Sequence, residues 1–411
     1  MPHPSLALIA RGPAADRAPA DAGAGATVAR LAVTDFRCYA RAVVEVDPAG
    51  PRAVVLTGPN GAGKTNLLEA VSFLAPGRGL RGARIGAVDR RLPGREGAPG
   101  GHAGGSWAVA ARLCRGRDPV EIGTGRDPAA EPEAARARRI VKIDGTLAGQ
   151  AGLAEVAAIS WLTPQMDRLF LDGAGERRRF LDRMVFCFDP AHAGRVSAYE
   201  QAMRERMRLL KGGVADAAWL AALEGQAAAQ GVAVAAARRD LVARLDRAAA
   251  EGGGPFPQPA AALDGAVEAW LDEMPALAAE DALKDRLAAS RARDAEAGSA
   301  LWGPHRSDLA VRHRARAMPA AECSTGEQKA LLIALVLAHA RLQAAAQGAA
   351  PILLLDEVAA HLDLARRRAL FDDLVALGAQ VWLTGTDEAL FADLAGAAQF
   401  FRVRDAAVAA A

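Results

Sequence analysis

The sequence predicts an α/β fold with a parallel sheet, a small β subdomain and an inserted helical domain. Three short apolar runs, at 53–57, 352–355 and 381–384, each end where a glycine or an acidic residue follows. Such runs are typical of buried parallel strands, whose carboxyl ends carry the chemistry of a site. A region rich in Ala, Leu, Arg and Glu with helical periodicity predicts the insertion at 189–300, and Gly-rich alternating segments predict the β subdomain at 78–149.

Length and composition indicate a protein of two or three domains. The chain has 411 residues, of which 51% are hydrophobic and 5% are aromatic, and alanine dominates the hydrophobic share. No apolar run approaches the roughly 20 residues that a bilayer-spanning helix needs. We therefore expect a cytoplasmic protein with no membrane partner.

The four cysteines favour the same compartment. Cys38, Cys114, Cys187 and Cys323 lie far apart in the sequence and form no CxxC pair. This spacing argues against a zinc site and is typical of reduced thiols in the cytosol. A metal in this protein is therefore expected to be Mg²⁺ held by oxygen atoms.

Positive charge is concentrated in one region of the chain. The segment 78–143 contains 14 basic and seven acidic residues, a local excess of +7 in a chain whose formal net charge is +2. This excess indicates a face that binds phosphate groups or, equally well, a solvated surface in an arginine-rich protein. Both interpretations stay open on the sequence alone.

A glycine-rich segment from Gly58 to Thr65 matches the pattern GxxxxGK[ST] of a phosphate-binding loop. It follows the predicted strand at 53–57 and precedes a helix-like segment, which is the context that the pattern requires. Glycines let backbone N–H groups turn toward phosphate oxygens, and the helix N-terminus adds the positive end of its dipole. Lys64 is predicted to reach the β and γ phosphates of ATP as a catalytic residue, and Thr65 to offer its hydroxyl to Mg²⁺. The residues predicted to bind nucleotide here are Gly58, Pro59, Asn60, Gly61, Ala62, Gly63, Lys64, Thr65 and Asn66.

An apolar run at 352–355 ends in two carboxylates, Asp356 and Glu357. A strand that ends in an acidic pair, following a phosphate-binding loop, is typical of a Walker B element. Asp356 is predicted to hold Mg²⁺ through water, and Glu357 is predicted to orient or deprotonate the attacking water.

Ser324, Gly326 and Gln328 lie in a turn that leads into an apolar helix ahead of the Walker B element. A helix N-terminus with serine and glycine binds anions, but more often it is only a capped helix end. The position before Asp356 resembles the ABC signature, so these three residues join the predicted nucleotide-binding set.

Five motifs together resemble the RecF family. They are Asp35-Phe36-Arg37-Cys38-Tyr39, Gly63-Lys64-Thr65-Asn66-Leu67-Leu68-Glu69-Ala70, Arg177-Arg178-Arg179-Phe180-Leu181-Asp182-Arg183, Gly303-Pro304-His305-Arg306-Ser307-Asp308-Leu309 and Ser324-Thr325-Gly326-Glu327-Gln328-Lys329. The resemblance extends over 28–403. Cys38 departs from the family pattern, which usually has asparagine at this position.

The resemblance implies a fold and a function. RecF-like proteins are ABC-type ATPases related to the SMC class without its long coiled coil, which implies an ABC-type P-loop ATPase head. It implies an ATP-dependent homodimer in which the signature serine of one protomer touches the γ-phosphate held by the other. It also implies binding of gapped DNA at the junction of single and double strands, with RecR and RecO as partners and RecA as an indirect one. The implied roles are recombinational repair, replication restart and SOS induction, with ATP and Mg²⁺ as cofactors and slow DNA-stimulated hydrolysis.

On this basis the chain is divided into five predicted segments. They are a disordered tail (1–27), the N-terminal half of the ATPase lobe with the P-loop and the β subdomain (28–188), the helical insertion (189–300), the C-terminal half of the lobe with the signature and Walker B (301–405) and a second tail (406–411).

Other matches to the ABC pattern leave alternatives open. Gln165 follows a short apolar segment where a Q-loop glutamine could contact the metal and the γ-phosphate, but a surface glutamine is an equal interpretation. The segment 359–363 resembles the D-loop. The segment 384–387 lacks the switch histidine of transporter ATPases, which favours slow hydrolysis with Thr386 or a water in its place.

Two competing functions are weighed against this prediction. A nucleotide-binding subunit of an ABC transporter shares the P-loop, signature and Walker B, but it predicts a switch histidine. The second is a DNA scaffold that is controlled by ATP binding without hydrolysis, and it differs from the prediction only in the turnover of ATP. Among the motif residues, His305 and Arg306 contact nucleotide, DNA or a partner or cap a packed turn, and the arginines at 177–183 face phosphate or solvent.

Overall fold

The computed structural model describes residues 25–90, 106–116, 118–128, 138–213 and 216–411. Contacts group the chain into two compact units. The first unit comprises the chain up to Met166 and from Ala340 onward, and the second unit comprises Asp167–His339. Most of the predicted tail at 1–27 lies outside the described residues. The domain boundaries drawn from composition stay a prediction, because they follow changes in sequence character rather than contacts.

The described residues form both strands and helices. The strands are β1 (Thr27–Phe36), β2 (Tyr39–Glu45), β3 (Ala53–Thr57), β4 (Ala108–Arg115), β5 (Asp118–Arg126), β6 (Arg139–Ile143), β7 (Thr146–Ala148), β8 (Ile159–Leu162), β9 (Pro259–Asp264), β10 (Asp308–His313), β11 (Met318–Pro319), β12 (Ile352–Leu355), β13 (Val381–Gly385), β14 (Ala398–Arg404) and β15 (Ala407–Ala410). The helices are α1 (Lys64–Ser72), α2 (Ala151–Val156), α3 (Ala174–Phe186), α4 (His192–Lys211), α5 (Ala217–Ala250), α6 (Ala266–Glu273), α7 (Ala276–Ala289), α8 (Arg291–Ala297), α9 (Thr325–Gln347) and α10 (Leu364–Leu377).

The predicted parallel strands lie in one sheet of the first unit, in the order β15-β14-β3-β13-β12-β8. All pairs are parallel except the edge pair β14 and β15. Every residue of β3, β8, β12 and β13 is buried, which explains why these strands are continuous apolar runs. Residues 406–411, which composition alone assigned to a tail, contain the edge strand β15.

A second sheet in the first unit is antiparallel, in the order β2-β1-β4-β5-β6-β7. The β subdomain predicted at 78–149 takes the form of four strands, β4 to β7, which continue the sheet that β1 and β2 begin. Helix α1 contacts β1 of this sheet and β8 and β13 of the parallel sheet. Its buried side chains, Leu67, Leu68 and Val71, belong to a hydrophobic core that both sheets share. The helix that carries the phosphate-binding loop is therefore held by apolar contacts on both sides.

Arg139 caps the C-terminal end of α1 from inside this core. It lies on β6 and is 7% exposed, and it donates hydrogen bonds to the carbonyl oxygens of Phe73, Ala75 (3.2 Å) and Gly77 (2.7 Å). Its Nε also donates to Thr124 Oγ1 at 2.8 Å. These carbonyls follow the last turn of α1, where no intrahelical donor remains for them. Burial lowers the pKa of Arg139 to about 10, so the guanidinium keeps its charge at neutral pH.

We expect Arg139→Met to lower the free energy of unfolding by about 3 kcal/mol. The substitution leaves the buried carbonyl groups of Phe73 and Ala75 without this donor, and each such group costs about 1–3 kcal/mol. Arg138→Met is the matched control because Arg138 is the exposed neighbour in sequence. Urea unfolding of both variants measures the difference. Equal free energies of unfolding for the two variants would show that the Arg139 cap does not stabilise the fold.

The second unit contains helices α3 to α8 and a three-stranded antiparallel sheet in the order β11-β10-β9. Helices α4 and α5 end just before the glycine-rich segments at 212–213 and 252–254. The strand β9 lies inside the segment predicted as a helical insertion. Its sequence is rich in alanine, which has low intrinsic preference for strands, so pairing with β10 rather than local propensity determines its structure.

Among the described residues, α9 is the one helix long and apolar enough to match a membrane span. Its most apolar stretch has a mean hydropathy of 1.4, and 61% of that stretch is buried inside the fold. Core helices of soluble proteins have the same composition, so this helix is weak evidence for a membrane.

Candidate nucleotide-binding site

The loop between β3 and α1 depends on glycines with positive φ. Gly58, Gly61 and Gly63 have φ angles of 149°, 80° and 114°. A Cβ atom at Gly58 would lie 2.0 Å from the carbonyl oxygen of Val403, and one at Gly63 would lie 2.5 Å from the hydroxyl of Tyr39. The loop backbone approaches β14 and the β1–β2 hairpin so closely that no side chain fits at either position. Glycine at these positions also lets the loop turn at the N-terminus of α1.

Lys64 begins α1 and is 4% exposed. Its Nζ donates hydrogen bonds to the carbonyl oxygens of Gly58 at 2.7 Å and Pro59 at 2.9 Å. Burial lowers the pKa of Lys64, while the nearby carboxylates of Glu357 and Asp356 act in the opposite direction. The ammonium is therefore folded over the loop, beside the predicted metal and catalytic carboxylates.

Asp356 follows β12 and is surrounded by hydroxyl groups. Thr65 Oγ1 donates to its two carboxylate oxygens at 2.9 and 3.0 Å, and Thr384 Oγ1 donates to Oδ1 at 2.7 Å. Burial raises the pKa of Asp356, and these hydrogen bonds counter part of that increase. The hydroxyl of Thr65 and a buried carboxylate thus meet at one point, and oxygen donors of this kind suit Mg²⁺.

Glu357 has an unusual backbone conformation. Its φ of 53° lies in the left-handed region, which a non-glycine residue seldom occupies. Its amide N–H donates to Thr384 Oγ1 at 2.9 Å, and its side chain is half-buried. Strained residues of this kind are concentrated at functional sites, which agrees with the catalytic role predicted for this carboxylate.

Gln165 is exposed and lies in a 3₁₀ turn, Pro164–Arg168, just after β8. Strands β8 and β12 are paired, and the amide of Asp356 donates to the carbonyl oxygen of Leu162 at 2.9 Å. Gln165 therefore follows the strand end that adjoins Asp356. Its contact with a metal stays a prediction, as does the crossing role of the segment 359–363.

The signature residues lie at the N-terminal end of α9, in the second unit. Ser324 and Glu327 form a capping box, in which the serine N–H and hydroxyl donate to the carboxylate at 3.1 and 2.9 Å. Gln328 is buried, and its amide donates to the carbonyl oxygen of Cys323 at 2.9 Å. No described atom lies within 4 Å of a Cβ placed at Gly326. Gln328 thus holds the turn in place, while Gly326 leaves open space; their nucleotide contacts stay predictions.

Three residues near the loop were not predicted as site residues. Arg37 binds both carboxylate oxygens of Glu69 at 2.6 and 2.8 Å, and Arg81 donates to Glu69 at 3.0 Å and to the side-chain oxygen of Asn66 at 2.8 Å. Glu69 is fully buried in α1. The two arginines therefore fix the first turns of α1 beside the phosphate-binding loop, and Arg81 places positive charge next to Asn66. The motif at 35–39, which contains Arg37, was the sequence pattern that could have indicated this residue.

The basic region at 78–143 is used partly inside the fold. Several of its arginines bind carboxylates or carbonyl oxygens of the first unit: Arg81, Arg90, Arg112, Arg126 and Arg139. Four others, Arg91, Arg95, Arg117 and Arg136, lie outside the described residues. The excess of charge in this segment therefore overstates the charge that is free to meet phosphate.

The arginines of α3 also have internal partners. Arg177 binds both carboxylate oxygens of Asp308 at 2.7 and 2.8 Å, and Arg178 donates to the carbonyl oxygen of Ser307 at 2.6 Å. Burial lowers the pKa of Arg183 to about 10. Arg177 and Arg178 thus link two of the family motifs within the second unit, whereas Arg179 is exposed and pairs with Glu176, as the solvated interpretation expects.

His305 and Arg306 lie in a packed turn. His305 Nε2 donates to the carbonyl oxygen of Ala300 at 3.0 Å, so Nδ1 accepts the hydrogen bond from the Tyr199 hydroxyl at 2.5 Å. Arg306 Nε donates to the same Ala300 oxygen at 2.9 Å. Burial lowers the pKa of His305, which favours this neutral ring. Of the interpretations left open for this pair, these contacts support the packed turn.

Known proteins resemble this chain in sequence and in structure. Residues 53–102 match the family model of an AAA domain, putative AbiEii toxin, Type IV TA system. The chain is 51% identical over 382 residues to the DNA replication and repair protein RecF of Brucella suis biovar 1 (strain 1330), a match that covers 92% of this chain and 94% of that protein.

Two solved structures have a similar fold. One is the recombination mediator protein RecF-ATPrS in the RecFOR pathway, with a TM-score of 0.79, 19% identity and coverage of 95% of this chain and 99% of that one. The other is the Smc head domain from Pyrococcus furiosus with an extended coiled coil, bound to the C-terminal domain of ScpA. Its TM-score is 0.50, with 17% identity and coverage of 94% of this chain and 96% of that one. These likenesses confirm the predicted ABC-type P-loop ATPase head.

Proposed function

The chain belongs to the RecF family, and on this premise we propose that it is an ATP-dependent DNA-binding protein of DNA replication and recombinational repair. It dimerises on ATP, clamps DNA at single-strand gaps and hydrolyses ATP slowly. It acts in the cytoplasm with RecR and RecO, helps to load RecA and supports the SOS response. The observation that carries this proposal is the meeting of Lys64 and Thr65, after β3, with the two carboxylates that follow β12. The strands β3 and β12 are parallel and flank β13 in the sheet.

ATP binding follows from the phosphate-binding loop. Lys64 exchanges its bonds to the carbonyl oxygens of Gly58 and Pro59 for bonds to phosphate oxygens, which a compact ammonium does at little steric cost. Thr65 and Asp356 hold Mg²⁺, whose charge offsets that of the β and γ phosphates when it is bound. Arg81, beside Asn66, adds positive charge at the same edge of the loop.

Hydrolysis depends on Glu357, which orients the attacking water and accepts its proton. Its carboxylate follows Asp356 directly, so the base and the metal ligand share one strand end. A positioned base of this kind contributes about 10²–10⁴-fold to a rate. DNA stimulates this slow reaction, and hydrolysis reopens the dimer.

The second protomer completes the nucleotide site. The capping box of Ser324 and Glu327 places a helix N-terminus at an exposed surface, and open space at Gly326 lets a phosphate approach the backbone. Closing the dimer brings two positively charged faces together around DNA. Contacts go mainly to phosphate groups, so binding depends strongly on salt and little on base sequence.

We expect Ser324→Arg to weaken ATP-dependent dimerisation by about 100-fold, because its long side chain occupies the space in which the γ-phosphate of the partner must lie. Binding of ATP by the single protomer should change by less than about threefold, since the loop of the first unit is untouched. Mass measurements in ATP and in ADP, together with fluorescent ATP titrations, test both statements.

Ser197→Arg is the matched control, because Ser197 is an exposed serine on α4 away from the signature turn. It should dimerise as the unaltered protein does. A Ser324→Arg protein that still dimerises on ATP would show that the signature turn of one protomer does not meet the nucleotide of the other.

A further inference from the structure

A side chain at the position after Thr384 would collide with a buried ring. Transporter ATPases have a switch histidine after the corresponding strand, and the segment 384–387 of this chain contains no histidine. A Cβ atom at Gly385 would lie 2.5 Å from Cε2 and 2.9 Å from Cζ of Phe391. Phe391 is fully buried and packs beside Phe371, with ring centroids 6.0 Å apart. The ring therefore occupies the space that a side chain at Gly385 would need.

Thr384, the preceding residue, directs a hydroxyl into the site from within the sheet. It is 1% exposed, and the pairing of Leu355 with Leu383 places it beside Asp356. Its Oγ1 donates its single proton to Asp356 Oδ1 at 2.7 Å and accepts the N–H of Glu357 at 2.9 Å. One hydroxyl thus holds the predicted metal ligand through a side chain and the predicted general base through its backbone.

The bond to Glu357 acts on a strained residue. A φ of 53° is unfavourable for glutamate, and this backbone persists only where its surroundings fix it. The backbone dihedrals of Glu357 set the direction in which its side chain leaves the strand. The hydrogen bond from the Glu357 N–H to Thr384 therefore helps to set the direction of the Glu357 carboxylate.

We propose that Thr384 is a positioning residue for ATP hydrolysis. It couples the metal-binding carboxylate to the general base and holds Glu357 in the conformation from which it reaches the attacking water. This inference rests on the proposed function, because it assumes that Glu357 is the base. Thr384 itself touches neither substrate nor metal; it acts through Glu357 and Asp356.

The test compares Thr384→Val, which keeps the shape and removes the hydroxyl, with Thr384→Ser, which keeps the hydroxyl. We expect Thr384→Val to lower kcat by about tenfold or more, as loss of one hydrogen bond to a charged or strained group does. KM and the affinity for a fluorescent ATP analogue should stay within about threefold, and Thr384→Ser should retain kcat within about threefold. Thr146→Val, at an exposed threonine of β7, is the matched control and should behave as the unaltered protein.

The second arm repeats the substitution in Glu357→Gln protein. There Thr384→Val should lower the residual rate by less than about twofold, because a residue that acts through the base has nothing further to lose. With Glu357 intact, Thr384→Val should also lengthen the lifetime of the ATP-held dimer in proportion to the fall in kcat. A full additional loss in the Glu357→Gln background, an unchanged kcat, or an equal loss in Thr384→Ser would overturn the inference. Unaltered protein that neither dimerises nor hydrolyses ATP would instead contradict the proposed function.

Discussion

Lys64→Ala protein is expected to lose ATP-dependent dimerisation and DNA binding almost completely. Lys64 supplies the one ammonium at the phosphate-binding loop among the described residues, and its Nζ already lies against the carbonyl oxygens of Gly58 and Pro59. Removing a charged donor to phosphate costs about 1.5–3 kcal/mol, which corresponds to a loss of about 10–150-fold in ATP affinity. Hydrolysis should fall further, by an additional factor of about 10² or more, because charge on the γ-phosphate loses its partner in the transition state.

Lys64→Arg should fail as well, since a planar guanidinium does not fit where a compact ammonium curls over the loop. Lys284→Ala is the matched control because Lys284 is an exposed lysine on α7. Titration with a fluorescent ATP analogue and steady-state hydrolysis measure these effects. Unchanged affinity in Lys64→Ala protein would show that the nucleotide does not occupy this loop.

Glu357→Gln protein is expected to hydrolyse ATP about 10²–10⁴ times more slowly than the unaltered protein, as loss of a general base does. The amide keeps the size of the side chain, and the backbone bond to Thr384 remains. ATP affinity should therefore change by less than about threefold, and the ATP-held dimer should live longer rather than shorter.

Glu296→Gln provides the matched control, because Glu296 is an exposed glutamate on α8 in the second unit. Single-turnover hydrolysis separates chemistry from product release. If Glu357→Gln protein hydrolyses ATP as fast as the control, another group is the base, and the positioning role of Thr384 fails with it.

Local patterns in the sequence were enough to predict the parallel sheet. Buried strands such as β3 and β12 are continuous apolar runs, and the residues of the site directly follow them, so the site residues could be found by their neighbours in sequence. The strand β9 could not be found in this way. Its alanines have no preference for a strand, and its partner β10 lies more than 40 residues further along the chain.

The partners of charged residues were equally hidden. Arg139 counted as surface charge in the sequence, yet it lies in the core and caps α1, because the carbonyl oxygens that it binds are 62 to 66 residues away. A charge count carries no information about burial. Only the order of strands in the sheet brings Arg139 of β6 to the carbonyl oxygens that follow α1.

The role of Thr384 depends on register in the same way. The sequence shows that no histidine follows β13, and it left Thr386 or a water as the substitute. The pairing of β13 with β12 places Thr384 beside Asp356, and the ring of Phe391 occupies the space that a side chain at the next position would need. Both facts arise from packing between segments that are distant in sequence.

The most direct test of the account is the binding of gapped DNA by Glu357→Gln protein in ATP and in ADP at fixed salt, with the mass of the protein followed in parallel. We predict tight binding and a dimer in ATP, and weak binding by a monomer in ADP. DNA binding that is the same in both nucleotides, or absent from both, would contradict an ATP-gated DNA clamp and favour a nucleotide-binding subunit of the transporter type.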